Sequence, residues 1–172
     1  MLRSLTILTM LVPAMLLAPA ARADEGGAWA FSVGKFDIAR DAKPLEGGIQ
    51  YRFRPLALWS VPLTPMVGVS ATEDGSAWIY AGLRYDFELS ERWALTPNLA
   101  VSLYDEGDKG KDLGHVVEFR SGLEISYRLG KNRGGGPTGP RIGLLFYHLS
   151  NASISEDNPG SNSLVLTLAL GR

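Results

Sequence analysis

Ser76-Ala77-Trp78-Ile79-Tyr80-Ala81-Gly82-Leu83-Arg84-Tyr85-Asp86-Phe87-Glu88-Leu89 is the stretch that decides the fold class. Ile79, Ala81, Leu83, Tyr85, Phe87 and Leu89 stand at alternate positions, with Tyr80, Arg84, Asp86 and Glu88 between them. Successive side chains of a strand point to opposite faces, so this run has one apolar face and one that carries full charges. A helix, with its period of 3.6, would spread both sets around its axis.

The same alternation recurs on both sides of this stretch. Upstream, residues 28–38 place Trp29, Phe31 and Val33 on one face. Residues 47–56 set Ile49, Tyr51 and Phe53 against Gln50, Arg52 and Arg54, and residues 64–71 set Val67 and Val69 against Met66 and Gly68. Downstream, residues 92–104 alternate Trp93, Leu95, Leu99, Val101 and Leu103 with Thr96, Asn98 and Ser102. Pro97 lies inside that run and predicts an interrupted or bulged strand, because proline has no N–H to give the ladder. Residues 116–129 set Val117, Phe119, Leu123, Ile125 and Tyr127 against Glu118, Arg120, Glu124, Ser126 and Arg128. Residues 141–150 are apolar on both faces, and residues 163–170 carry the row Leu164, Leu166, Leu168 and Leu170. Eight strands of about ten residues suit tilted membrane-spanning strands.

The polar rows carry charges on several strands: Arg52, Arg54, Arg84, Asp86, Glu88, Glu118, Arg120, Glu124 and Arg128. Inside a small closed barrel such residues pair with one another, while the apolar rows face lipid. Closure leaves no unpaired strand edge, which lipid would penalise heavily. The fold class is therefore an all-β, eight-stranded antiparallel transmembrane β-barrel. Trp29, Trp59, Trp78 and Trp93 lie near strand ends and are expected to form an interfacial girdle. A soluble exported sandwich or lipocalin-like barrel is the competing architecture, since alternation alone fits both. An eight-stranded barrel has an interior filled by side chains, so an open pore is not expected.

The 172 residues include 20 glycines and no cysteine, with a formal net charge of −1. No disulfide framework or thiolate metal site is available to such a chain, and no clustered basic surface suggests nucleic acid. Residues 1–23 begin with Arg3, continue through an apolar run from Leu5 to Leu17, and end in Ala21-Arg22-Ala23. That pattern predicts a cleaved signal peptide, followed by a single barrel domain over residues 24–172. With both ends of the barrel inside, the polar stretches 105–113 and 151–161 face outward.

Chemistry is concentrated at the end of the seventh segment, in Tyr147-His148-Leu149-Ser150-Asn151-Ala152. His148 and Ser150 are two apart, so they share a face. It is also the face of Ile142, Leu144 and Phe146, hence the lipid-facing one. A hydroxyl beside an imidazole is the minimum for nucleophilic acyl transfer. On its own the pair is a weak signal. His115, beside the polar stretch 105–113, reads as a solvated loop residue.

His148-Leu149-Ser150-Asn151-Ala152, followed by Asn158-Pro159-Gly160-Ser161-Asn162-Ser163, resembles the C-terminal signature of the PagL-type lipid A 3-O-deacylases. The resemblance is specific over residues 148–163 and loose elsewhere. It implies an outer-membrane barrel that hydrolyses the ester-linked 3-hydroxyacyl chain at the 3 position of lipid A, without a metal or other cofactor. It implies Ser150 as nucleophile, His148 as general base and Asn158 in the oxyanion region. The partners it implies are lipid A, or lipopolysaccharide, and outer-membrane lipid. It leaves a homodimer open.

The sequence departs from the family at the position of the triad acid, which here is Asn162. An asparagine orients an imidazole but supplies no charge to its protonated form, and replacing the aspartate by asparagine in a serine protease triad costs about 10⁴ in turnover. Glu156 or Asp157 would take the acid's place if the loop folds back. The alternative function is a catalytically weak or inactive structural or lipid-binding barrel of the same fold.

Overall fold

The computed structural model describes residues 27–39, 41, 43–58, 61–130 and 139–171. The proposed leader, Trp59 and most of the link after residue 130 lie outside them. Ten strands form one antiparallel system: β1 (Ala28–Lys35), β2 (Leu45–Arg52), β3 (Leu56–Leu58), β4 (Val61–Thr72), β5 (Ala77–Arg84), β6 (Phe87–Glu88), β7 (Trp93–Asp105), β8 (Val117–Arg128), β9 (Arg141–Ser150) and β10 (Ser161–Gly171). β3 pairs with β4 and β6 with β7 as short adjuncts, which leaves eight long strands. Each long strand pairs with its neighbours in the chain. β1 also pairs with β10, from Ala28 opposite Gly171 to Lys35 opposite Leu164, and this closes the barrel.

The strand limits follow the alternation. Residues 76–89 divide into β5 and β6, and Pro97 is the cause. Arg84 pairs with Asn98 and Phe87 with Leu95, so the register is unchanged across the gap and no residue is bulged. Tyr85 donates its N–H to the Pro97 carbonyl at 3.1 Å. The return bond that a paired position would make has no donor, because residue 97 is proline.

The barrel has a terminal end, where β1 begins and β10 finishes, and a loop end that carries residues 106–116 and 151–160. Inside, the two halves differ. Toward the terminal end lies an ionic network. Glu124 takes Arg52 at 3.0 Å and Arg84 at 3.3 Å, and accepts a hydrogen bond from Thr167 at 2.8 Å. Asp86 joins Arg84 at 3.1 Å and Arg141 at 2.6 Å, and Glu88 pairs with Arg128. Pairing of this kind offsets the loss of water around the charges. Toward the loop end the filling is aromatic. Phe36 packs on Trp78 and Tyr104, with ring centroids 5.4 and 6.5 Å apart, and Leu113 is buried in the same cluster.

Three expectations need correction. Glu118 faces the interior as expected but does not pair: both oxygens of its buried carboxylate lack a hydrogen-bond partner among the described residues. Trp78 faces inward and is 2 % exposed, because it shares parity with Tyr80 and Arg84 rather than with Ile79. Trp29 and Trp93 do face outward, at the terminal end. They pack edge-on against Tyr51 and Tyr127 at 4.9 and 5.0 Å. Arg54 is not part of the interior network. It lies beyond the end of β2 and is exposed.

Candidate active site

The outward rows of the long strands are apolar almost throughout, with exposed Val33, Ile49, Val69, Ile79, Leu99, Val101, Leu144 and Leu166. Apart from the tyrosines of the aromatic belt, six polar side chains interrupt them. Lys35 and Asp105 are the last residues of β1 and β7, at the rim. The other four, Ser121, His148, Ser150 and Asn162, lie together near the loop end on the adjacent strands β8, β9 and β10. A polar group on an apolar exterior is costly unless it is used, so this grouping marks a site.

Register sets the geometry. On β9, His148 has Ser121 of β8 as its partner on one side and Asn162 of β10 on the other. Ser150, one row nearer the rim, is opposite Phe119. His148 Nδ1 and Asn162 Oδ1 are 3.0 Å apart. An amide oxygen only accepts, so the bond requires the proton on Nδ1 and leaves the Nε2 lone pair available as a base. Glu156 and Asp157 do not take that place. They line a groove with Asp112, Gly114 and Asn158, and the Asp157 backbone packs against Gly114. Among the described residues, the hydrogen-bonding partner of His148 is Asn162.

The loop after Ser150 is held by Asn151, which is fully buried. Its Nδ2 donates to the carbonyls of Leu113 and Asp157, at 3.1 and 2.8 Å, and to Ser155 Oγ at 3.2 Å. Its Oδ1 accepts from the Ser153 N–H at 2.9 Å. Ala152 and Ser153 both have positive φ, 52° and 65°, so the chain reverses within two strained residues of the serine. Asn158 Oδ1 accepts from the Asn151 N–H at 3.1 Å, which brings the Asn158 side chain to the amide that follows Ser150. Its Nδ2 remains as a donor.

Gly160 closes the arrangement. Its φ is +57°, and a Cβ there would stand 2.8 Å from His148 Cε1 and 3.1 Å from Nε2. The imidazole therefore occupies space that any other residue at 160 would take. A short distance away, Lys111 joins Asp37 at 2.8 Å and links two loops of this end. Among the described residues, no three His, Asp or Glu side chains assemble as a metal-ligand set.

The structure thus brings His148 and Asn162 into contact, sets Ser150 on the same face two residues along β9, and places Asn158 at the amide that follows Ser150. Sequence reading passed over Ser121, Asn151 and Gly160 as individual contributors. Only Ser121 had a signal of its own: it is a hydroxyl at an apolar parity, between Phe119 and Leu123.

Comparisons with known proteins bear on the fold and the family. A family model described as lipid A 3-O-deacylase (PagL) matches residues 46–171. Comparison with curated proteins finds no match. Among solved structures, the outer membrane enzyme PagL is similar with a TM-score of 0.64 and 15 % identity, over 83 % of this chain and 98 % of that one. Neisserial surface protein A aligns with a TM-score of 0.56 and 14 % identity, over 88 % of this chain and 100 % of that one. A de novo designed transmembrane β-barrel aligns with a TM-score of 0.53 and 10 % identity, over 87 % and 99 %. At such identities the structural likeness is one of fold.

Proposed function

The chain belongs to the lipid A 3-O-deacylase (PagL) family, and from that premise we propose that it is an outer-membrane serine esterase. Its substrate is lipid A, and it removes the ester-linked 3-hydroxyacyl chain at the 3 position. The loop end faces outward, and residues 1–23 serve as a cleaved export signal. The observation that carries the proposal is the grouping of Ser121, His148, Ser150 and Asn162 on the lipid-facing surface of three adjacent strands near the loop end. Lipid A occupies the outer leaflet. An ester in that leaflet meets the barrel exterior near the rim, where an inward-facing pair would be out of its reach.

In this mechanism Ser150 Oγ attacks the ester carbonyl carbon and its proton passes to His148 Nε2. The Asn162 amide oxygen keeps the Nδ1–H in place and holds the ring in the tautomer that makes Nε2 the base. Asn158 Nδ2 donates to the oxygen on which negative charge develops; a single such donor is worth about 10²–10³ in turnover. The bond from the carbonyl carbon to the lipid A 3-oxygen breaks, and that oxygen takes the proton from Nε2. Water then repeats the sequence on the acyl-serine, with His148 again removing a proton, and releases the hydroxy acid.

A second reading, a catalytically weak or silent lipid-binding barrel, is favoured by one observation: Asn162 carries no charge for the imidazolium that forms in both halves of the reaction. Mass spectrometry of lipid A separates the two readings. Membranes carrying the protein should lose one hydroxyacyl chain from lipid A, and membranes carrying Ser150→Ala or His148→Ala should keep it. Unchanged lipid A with correctly inserted wild-type protein refutes the esterase.

A further inference from the structure

We propose that Ser121 is a specificity residue whose hydroxyl binds the hydroxyl on the third carbon of the scissile acyl chain. The inference rests on the esterase reading above and adds a substrate contact to it.

Ser121 lies on the outward face of β8, in a row with Phe119, Leu123 and Ile125. It is exposed, and among the described residues its hydroxyl makes no hydrogen bond to the protein. In contact with lipid tails alone that hydroxyl would lose the hydrogen bonds it makes in water, which is unfavourable. Its neighbours in the row are apolar. A hydroxyl there has a use if the substrate brings a polar group to it.

The register specifies where that group would be. Ser150 is opposite Phe119 and His148 is opposite Ser121, so Ser121 lies one row deeper than Ser150 and one strand across. Diagonal neighbours of this kind have Cβ atoms roughly 7 Å apart. An acyl chain whose ester carbonyl is at Ser150 must run from the rim into the apolar body of the barrel wall, over Leu123, Phe146 and Leu144. It crosses the row of His148 within its first few carbons. The β10 side of that row is taken by Asn162, which is bonded to the imidazole. On the β8 side the polar group it meets is Ser121. A hydroxyl two carbons from the carbonyl arrives at this depth, whereas a plain acyl chain offers Ser121 nothing.

The test is equilibrium binding to the full-length protein in detergent micelles, in a Ser150→Ala background so that no turnover occurs. Two synthetic lipid A molecules are compared, one with a 3-hydroxyacyl ester at the 3 position and one with the unsubstituted acyl chain. With Ser121 present, the hydroxylated lipid should bind about fivefold more tightly, the value of one neutral hydrogen bond. Ser121→Ala should abolish that preference while leaving affinity for the plain lipid unchanged, and Ser121→Thr should restore part of it. Equal affinity for the two lipids with Ser121 present, or a preference that survives Ser121→Ala, overturns the proposal. Turnover is measured separately with Ser150 intact. A Ser121-dependent preference without turnover refutes the esterase and leaves the contact standing, while turnover without the preference does the opposite.

Discussion

His148 and Asn162 stand opposite each other on β9 and β10, with Nδ1 and Oδ1 3.0 Å apart, in the place where a Ser-His-acid triad has its carboxylate. In the proposed mechanism the asparagine performs half of the acid's work: it fixes the tautomer and the ring orientation, and it leaves the imidazolium without a counter-charge. Asn162→Glu should therefore raise turnover, by a factor on the order of 100, within the roughly 10⁴ that separates the two residues in a serine protease triad. Asn162→Leu should lower it, because Nδ1 loses its acceptor. Rates of hydroxy acid release from lipid A in mixed micelles check both directions. A Glu variant no faster than wild type would show that charge at this position is dispensable here.

Gly160→Ala is expected to cost activity far more than stability. The added Cβ would press on the His148 ring at 2.8 Å, and the φ of +57° disfavours alanine by about 1 kcal/mol. Turnover should fall at least tenfold, since a misplacement near 1 Å in a catalytic group costs about 10². The thermal midpoint of the barrel in micelles should move by only a few degrees. An unchanged rate would mean that the ring shifts without consequence.

Asn151→Leu removes four side-chain hydrogen bonds, three that fold residues 151–160 on themselves and one that ties them to Leu113 of the neighbouring loop. The Leu113 carbonyl would lose the Asn151 donor, at about 1–3 kcal/mol where it stays buried, while the Asp157 carbonyl keeps the Ser155 hydroxyl at 2.6 Å. The loop should then open locally while the barrel persists. Limited proteolysis should cut within residues 151–160 in the variant and spare the wild type, and turnover should fall with it. Equal protease resistance would assign the holding of the loop to other contacts.

Glu124→Leu strips Arg52 and Arg84 of a shared buried partner, at 3.0 and 3.3 Å. Breaking a buried pair from one side costs about 3–5 kcal/mol, so urea unfolding of the refolded barrel should shift to clearly lower concentration. Replacing the exposed Arg92, whose side chain bonds the Tyr127 hydroxyl at 2.7 Å, by glutamine should shift it much less, in line with the small worth of exposed interactions. A similar effect from both would mean that water enters the interior network.

Much of this protein was legible along the chain because period-two alternation is local: a residue's parity on its strand assigns its face without knowledge of any other strand. That reasoning located eight strands, gave the charged rows to the interior and put His148 and Ser150 outside. The motif around Ser150 pointed to the family, and Asn162 was identified as the position that departs from it. Parity was not applied to Trp78, which shares the face of Arg84. Cross-strand register, in contrast, is set by pairings between residues distant in sequence and by closure of the barrel through β1 and β10. Only the tertiary structure could place Ser121 beside His148, set Asn162 rather than Glu156 or Asp157 against its ring, and seat Gly160 on that ring. Backbone hydrogen bonding between strands, invisible in the order of residues along any one of them, makes those neighbours.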